Sequence, residues 1–339
     1  MSNSSPILVT GVAGFIGFHL VRRLLRDGHK VVGIDSLTSY YNTQLKQDRL
    51  AQIAHPAFTF NHLDLTDHDA IMTLFATIKP KAVIHLAAQA GVRYSIDNPA
   101  AYMDSNMTGF FHILEACRQH QIEHLIYASS SSVYGASTDY PFSENQPVNH
   151  PVSFYAATKK ANEAMAHSYA HLYGLPCTGL RFFTVYGPWG RPDMALWTFS
   201  DRIMKGEPIH VYGDGDMSRD FTYIDDIIEG VIRLIPLAPE PNPEWDSAKQ
   251  HQATSAAPWR VLNIGNNNPT QLEHFITILE DAIGIKAIKE YLPMQDGDVR
   301  RTAANIDAIH KLTGFTPQTS IETGIPAFVD WYRQWNGNR

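Results

Sequence analysis

The chain holds two cysteines, Cys117 and Cys177, in 339 residues, and both fall within apolar patterns. That scarcity excludes a disulfide-stapled scaffold and points to reduced, buried thiols. Long hydrophobic runs are missing as well. No stretch approaches the roughly 20 apolar residues of a membrane span, so no membrane partner is expected. Positive charge is in deficit: the net charge is −7 and the pI near 6.1. No overall attraction to nucleic acid or anionic lipid follows from such a balance. Sixteen histidines are present, yet no Cys/His cluster supplies a set of metal ligands, so no metal is expected. The opening Met1-Ser-Asn-Ser-Ser5 lacks a basic segment leading into an apolar run. We therefore expect no secretory leader and a cytoplasmic location.

What is there is ordinary globular composition, with 44% hydrophobic and 18% charged residues, in a length suited to one large α/β unit and a second lobe. The most informative pattern is Tyr155-Ala-Ala-Thr-Lys159, read with Ser129-Ser-Ser-Ser132 upstream. Residues four apart share a helix face, so the Tyr155 hydroxyl and the Lys159 ammonium can enter one site. A free tyrosine titrates near pH ~10, and a neighbouring ammonium favours its phenolate. Tyr155 thereby becomes a candidate acid/base, with Ser130 beside the reacting oxygen and Ser131 as a possible helper.

The start of the chain supplies the context. Ile7-Leu-Val-Thr10 reads as a strand ending at Gly11-Val-Ala-Gly14-Phe15-Ile16-Gly17, followed by an amphipathic helix and a second strand that ends at Asp35. Gly11 permits a tight turn, Gly14 lets backbone N–H groups approach a pyrophosphate, and Gly17 lets the helix pack on the strand. The helix N-terminus favours phosphate. Asp35 can accept from both ribose hydroxyls and would repel a 2′-phosphate, which favours NAD over NADP. Further along, Asp64 and Leu65 end a strand where an adenine edge can sit, with Thr66 as the expected cap of the next helix. Ala87 and Ala88 open a run of small residues that permits close approach of a cofactor. Strands alternate with helices up to Leu180, including a long helix over residues 99–120 and another over 153–173. This predicts a doubly wound parallel α/β sheet of Rossmann type. Residues 236–259 read as an exposed connection.

Thr-Gly-x-x-Gly-Phe-Ile-Gly, Asp64-Leu65, His85-Leu-Ala-Ala88, Ser131-Ser-Val-Tyr-Gly135 and Tyr155-x-x-x-Lys159, in that order, resemble the extended short-chain dehydrogenase/reductase family over nearly the whole chain. Within it the chain resembles the UDP-glucuronate 4-epimerase group, through Ala90-Gly-Val-Arg-Tyr-Ser95, Arg181-Phe-Phe-Thr-Val-Tyr-Gly-Pro-Trp-Gly-Arg-Pro-Asp193 and Asn263-Ile-Gly-Asn266. The resemblance implies tightly held NAD and a 4-epimerisation of UDP-glucuronate to UDP-galacturonate through a transient 4-keto sugar. It also implies a homodimer, built by pairing the 99–120 and 153–173 helices. Arg93 and Arg191 would serve substrate recognition, Arg219 the UDP diphosphate, and Thr184 a site where relatives acting on neutral sugars tend to carry Asn. Arg300, within Gly297-Asp-Val-Arg-Arg301, departs from the usual pattern of smaller or apolar residues.

The sugar-nucleotide dehydratases of this family carry an Asp-Glu pair before Val-Tyr-Gly, and here those positions are Ser131 and Ser132. Dehydration therefore lacks its carboxyl groups, and the decarboxylases' Glu is absent too. Two other readings stay open: a 4-epimerase of neutral UDP-hexoses, and an NAD-binding protein without catalysis. The expected division places the NAD domain at residues 1–182, with a return of the chain over 221–264. A smaller α/β C-terminal lobe for the UDP-sugar takes 183–220 and 265–339.

Overall fold

The computed structural model describes residues 5–246, 248 and 252–337. Its first half alternates strands and helices: β1 (Ile7–Thr10), α1 (Phe15–Arg26), β2 (Val31–Asp35), α2 (Thr43–Ala51), β3 (Phe58–His62), α3 (His68–Ile78), β4 (Ala82–His85). Two short helices, α4 (Tyr94–Asp97) and α5 (Pro99–Tyr102), lead through a π-helical turn at Met103–Thr108 into α6 (Gly109–Gln119). Then come β5 (His124–Ser130), α7 (Phe154–Tyr173) and β6 (Cys177–Phe182). The later chain adds β7 (Thr184–Tyr186), α8 (Ala195–Lys205), β8 (Ile209–Tyr212), β9 (Ser218–Tyr223), α9 (Ile224–Leu234) and β10 (Trp259–Ile264). It closes with β11 (Pro269–Gln271), α10 (Leu272–Ile283), β12 (Lys289–Leu292), α11 (Asp307–Thr313) and α12 (Ile321–Gly337).

Seven strands form one sheet in the order β10-β6-β5-β4-β1-β2-β3, every pairing parallel. This is the expected doubly wound arrangement, and it reverses direction between β1 and β4, where such sheets bind ligands. The sheet is covered on both faces. Along β1, Ile7 and Val9 join a core with α1 and α9, while Leu8 joins another with α3, α6 and α7. The two-residue strand period thus feeds both cores. A third cluster, around Trp197, Phe275, Phe328 and Tyr332, unites α8, α10 and α12 beside the small β11-β9-β7 sheet.

Several local expectations change. The cap of α3 is Asp67, whose side chain accepts from Ala70 N at 3.0 Å, while Thr66 instead donates to Asp64 Oδ1 at 2.7 Å. The 99–120 helix is interrupted by its π-turn, at the point where the buried Asn106 side chain bonds Gln89 and Thr158. Of the 236–259 connection, residues 247 and 249–251 lie outside the described residues; Ser255, Ala257 and Trp259 are buried rather than exposed. Helices α2 and α9 have no counterpart in the sequence reading. Gln44 N is capped by Asn42 in the first, and Arg23 of α1 pairs with Glu229 of the second at 2.7 Å.

One buried network fixes α7 to the sheet. Glu163, one turn beyond Lys159, receives Arg181 Nε and Nη2 from β6, each at 2.9 Å, and Ser129 Oγ from β5 at 2.7 Å. Arg181 Nη1 continues to Tyr134 OH at 3.1 Å, and Tyr134 donates to Asn263 of β10 at 2.6 Å. Removing one partner of such a pair leaves an uncompensated buried charge and costs about 3–5 kcal/mol. Arg181→Met should lower the urea unfolding midpoint accordingly, and the double variant Arg181→Met/Glu163→Leu should recover part of the loss. A single variant as stable as the parent would show that the pair does not hold these elements.

Candidate active site

The cofactor cleft begins at the C-terminal end of β1. Gly11 has φ +75°, and a Cβ there would lie 2.8 Å from Ala87 N, so the turn and the Ala87-Ala88 segment touch through backbone alone. A Cβ on Gly14 would lie 2.9 Å from the Gly11 carbonyl oxygen, and one on Gly17 would strike the same oxygen. No side chain caps the N-terminus of α1 at Gly14, which leaves its N–H groups to a ligand. Phe15 is buried against the core and Ile16 packs beside it. Asp35, buried at the end of β2, accepts Ala13 N at 3.0 Å and Leu37 N at 2.8 Å, tying the glycine turn to the next strand. Its oxygens keep lone pairs for ribose hydroxyls. Asp64 accepts Thr66 N at 2.9 Å and lines a cavity of about 440 Å³ with Thr38, Tyr40, Gln89 and Tyr94. Leu65 is buried, its carbonyl held by His112 at 2.8 Å. A cradle that a single Cβ would fill, with an uncapped helix end and a carboxylate one strand over, fits a dinucleotide.

Tyr155, Lys159 and Ser130 meet at the ends of β5 and α7. Lys159, 2% exposed, donates from Nζ to Ala128 O at 2.9 Å, and burial lowers its pKa to about 8. The Ser130 hydroxyl and the Arg191 charge both act on the Tyr155 phenol to favour the phenolate. Burial outweighs them and raises its pKa above the ordinary value. That reverses the direction expected from Lys159 alone: desolvation is the larger effect. Ser130 Oγ also lies 3.1 Å from Ser132 Oγ and accepts Ser132 N at 3.2 Å. Ser131 begins the short 3₁₀ turn that follows. His85, buried beside Lys159, is pushed down to about 3 mainly by burial and accepts from, or donates to, Thr10 Oγ1 at 2.9 Å.

On the far side of the cleft, Thr184 opens β7, half-buried, opposite Phe221 of β9. Arg191 forms a two-point ion pair with Asp193, its Nε at 3.0 Å from Oδ1, and lies near Tyr155 and Tyr40. Arg219 donates to the carbonyls of Ser218 and Arg300 at 3.0 and 3.1 Å, and burial lowers its pKa. Arg93 approaches Asp298 at 3.5 Å, sits 5.6 Å over the Tyr212 ring and opposes Arg219 electrostatically. Arg93 and Arg219 therefore form one positive cluster, separate from Arg191. Arg300 contributes mainly its backbone here; its guanidinium reaches Asp216 at 3.4 Å on the surface.

Three residues of the cleft escape the sequence reading. Tyr40 donates to Asp193 Oδ2 at 3.0 Å, and Lys46, buried, donates to Thr38 at 2.9 Å. Arg49, fully buried, reaches both the glycine turn and the Trp189-Gly190 loop. Only the extended-family motif around Arg191 pointed near any of them. His167 and His171 stack one turn apart on α7, with ring centres 6.4 Å apart. Among the described residues no group of three or more His, Cys, Asp or Glu is placed to hold a metal, and no helix is long and apolar enough to cross a membrane.

Fold and cleft together define a doubly wound dinucleotide-binding protein. Residues 7–244 match the NAD dependent epimerase/dehydratase family, and the chain belongs to it. Protein CapI of Staphylococcus aureus is 52% identical over 329 residues, covering 97% of this chain and 98% of that protein. UDP-glucuronate 4-epimerase 2 of Arabidopsis thaliana is 43% identical over 335 residues, 97% of this chain and 76% of that one. A UDP-glucuronic acid 4-epimerase from Bacillus cereus, solved with UDP-glucuronic acid and NAD, has a TM-score of 0.87 at 33% identity, covering 97% of this chain and 99% of that chain. The chain is an NAD-dependent enzyme of this family, with the Rossmann-type sheet that its motifs lead one to expect.

Proposed function

We propose that this enzyme epimerises UDP-glucuronate at C4 to give UDP-galacturonate, and that the site residues divide the work as follows. Gly11, Gly14, Phe15, Ile16 and Gly17 seat the pyrophosphate, Asp35 the ribose, Asp64 and Leu65 the adenine, and Ala87 and Ala88 lie along the cofactor. NAD, when bound, supplies hydride acceptance and return at the sugar carbon. Tyr155 takes the C4 hydroxyl proton and later returns it, while Ser130 holds the same oxygen. Lys159 keeps a positive charge one helical turn away, at pH values below about 8. Arg219 from the second lobe and Arg93 from the NAD domain orient the diphosphate, and Arg191 closes over the sugar. The same assignment divides the chain into an NAD domain, 1–182 with 221–264, and a substrate lobe, 183–220 with 265–339.

The observation that carries this reading is the hydroxyl character of Ser130, Ser131 and Ser132 beside Tyr155. No carboxyl group stands there to expel a C6 hydroxyl, so oxidation and reduction at one carbon remain. Hydroxyls from these serines and from Thr184 suit a C6 carboxylate and can hold it out of alignment with a C4 carbonyl, which keeps CO₂ in place. Charge-assisted hydrogen bonds are worth ~1.5–3 kcal/mol each, so several together give strong selection. A UDP-galacturonate product is an activated donor, and we place it in the cytoplasm, feeding cell-surface polysaccharide assembly.

We also propose a homodimer through α6 and α7, where Met103 and Phe111 on one run and Phe154, Leu172 and Tyr173 on the other are exposed. Light scattering at micromolar concentration should return twice the chain mass of 38.0 kDa; a monomeric mass refutes the pairing.

Two sets of kinetic outcomes test the site. Tyr155→Phe keeps the ring but removes the proton acceptor, so turnover should fall ~10²–10⁴-fold with nucleotide binding little changed. Because Tyr155 is raised by burial, activity should climb with pH, and Lys159→Met should move that rise to higher pH; near-parental turnover in Tyr155→Phe contradicts the assignment. Products followed by NMR should show efficient conversion of UDP-glucuronate and poor conversion of UDP-glucose. Thr184→Val should lose activity on the uronate and release some CO₂. Equal efficiency on both sugars would replace this reading with a neutral UDP-hexose 4-epimerase.

A further inference from the structure

Arg49 is an unusual side chain to bury. It stands on α2 with no exposed surface, and its hydrogen bonds all end on neutral oxygens. Nη1 donates to Ala13 O at 2.9 Å and to Tyr41 OH at 2.8 Å. Nη2 donates to Trp189 O at 2.6 Å and to Gly190 O at 3.0 Å. Nε is buried without a hydrogen-bond partner. One planar guanidinium therefore joins the glycine turn, which cradles a pyrophosphate, to the segment that carries Arg191.

Three further observations point the same way. Trp189 has φ +62°, a left-handed conformation that a large aromatic residue seldom adopts, and its own carbonyl and the next one, of Gly190, are the ones Arg49 holds. Beside this tie, Tyr40 donates to Asp193 Oδ2 at 3.0 Å, so the segment after β2 grips the 187–193 loop a second time. The charge balance is also incomplete. Burial acts most strongly against the charge on Arg49 and Arg191 adds to that, while Tyr41 and then Asp35, the one carboxylate among these groups, offset it. A buried cation paired this weakly is costly unless an anion arrives. A dinucleotide's pyrophosphate on the glycine turn brings that anion.

We propose that Arg49 is a positioning residue that couples occupancy of the dinucleotide cleft to the ordering of the 187–193 loop, and through it sets Arg191 for the sugar nucleotide. The inference rests on the placement of NAD in the Gly11–Gly17 cleft given above. With the cleft filled, the charge on Arg49 is compensated and its hydrogen bonds shorten the excursions of both partners. With the cleft empty, the same guanidinium holds the loop weakly. The pyrophosphate and the sugar nucleotide thus bind with positive coupling, although Arg49 touches no substrate.

The test uses the full chain stripped of nucleotide. Hydrogen exchange of residues 187–193 is followed by mass spectrometry with and without added NAD, in the parent, in Arg49→Met and in Arg49→Lys. In the parent, NAD alone should slow exchange in this loop by tenfold or more. Arg49→Met should abolish that NAD-dependent protection, release bound NAD at least tenfold faster and raise the sugar-nucleotide KM more than it lowers kcat. Arg49→Lys, which keeps the charge but cannot span the same acceptors, should restore NAD retention in part and the loop protection little. If NAD protects the loop equally in the parent and in Arg49→Met, Arg49 is only structural and the proposal fails. If Arg49→Met does not fold, the parent decides: protection of 187–193 by NAD supports the coupling, and unchanged exchange overturns it. A parent that binds no NAD contradicts the function proposed above, not this coupling alone.

Discussion

The buried pair between Arg181 and Glu163 is the interaction on which the geometry of the site depends. Burying two charges gains little net stability, because desolvation consumes most of their attraction. What the pair supplies is position. Glu163 lies on the α7 face that also carries Tyr155 and Lys159, Arg181 lies on β6, and Ser129 of β5 donates to the same carboxylate. A slip of the helix against the sheet would break three charge-assisted bonds at once. The tyrosine, lysine and serine therefore keep one relation to each other, and that relation is set from beneath the cleft.

The parallel sheet then determines what faces this group. Every strand of the main sheet ends on the same edge, so β1 delivers the glycine turn, β2 delivers Asp35, and β5 delivers the serines to one crevice. A separate aromatic core unites α8, α10 and α12 beside the small sheet in which β9 carries Arg219, and Arg191 approaches Tyr155 from the 187–193 loop. Burial has a double effect there. It raises Tyr155 and lowers Lys159, so both sit closer to neutrality in charge than they would in water, and small changes in the surrounding charge can shift their protons.

Much of this is legible in the sequence. The glycine turn, Asp35 and Tyr155 with Lys159 are local patterns, because a helix period or a strand-turn-helix unit places those residues without knowledge of distant chain. The serine run reads correctly for the same reason, as the end of one apolar strand. Arg49 is not legible: its partners Trp189 and Gly190 are 140 and 141 residues away, and α2 buries Lys46 and Arg49 along with Leu45. A helix whose inner face is charged carries no apolar stripe to find. Helix α9 is different, since Ile224, Ile227, Ile228 and Val231 form a clear stripe that the irregular Gly- and Pro-rich loops before it obscure. The direction of the Tyr155 shift was also out of reach, because it turns on burial rather than on the neighbouring lysine.

The central claim is that one carbon of the sugar is oxidised and then reduced on its other face within a closed cleft, with Tyr155 moving the proton. UDP-glucuronate carrying deuterium at C4 tests it most directly. NMR of the UDP-galacturonate formed in ordinary water should show the deuterium still at C4. Loss of that label to solvent hydrogen would contradict hydride return within the cleft and, with it, the account of the site.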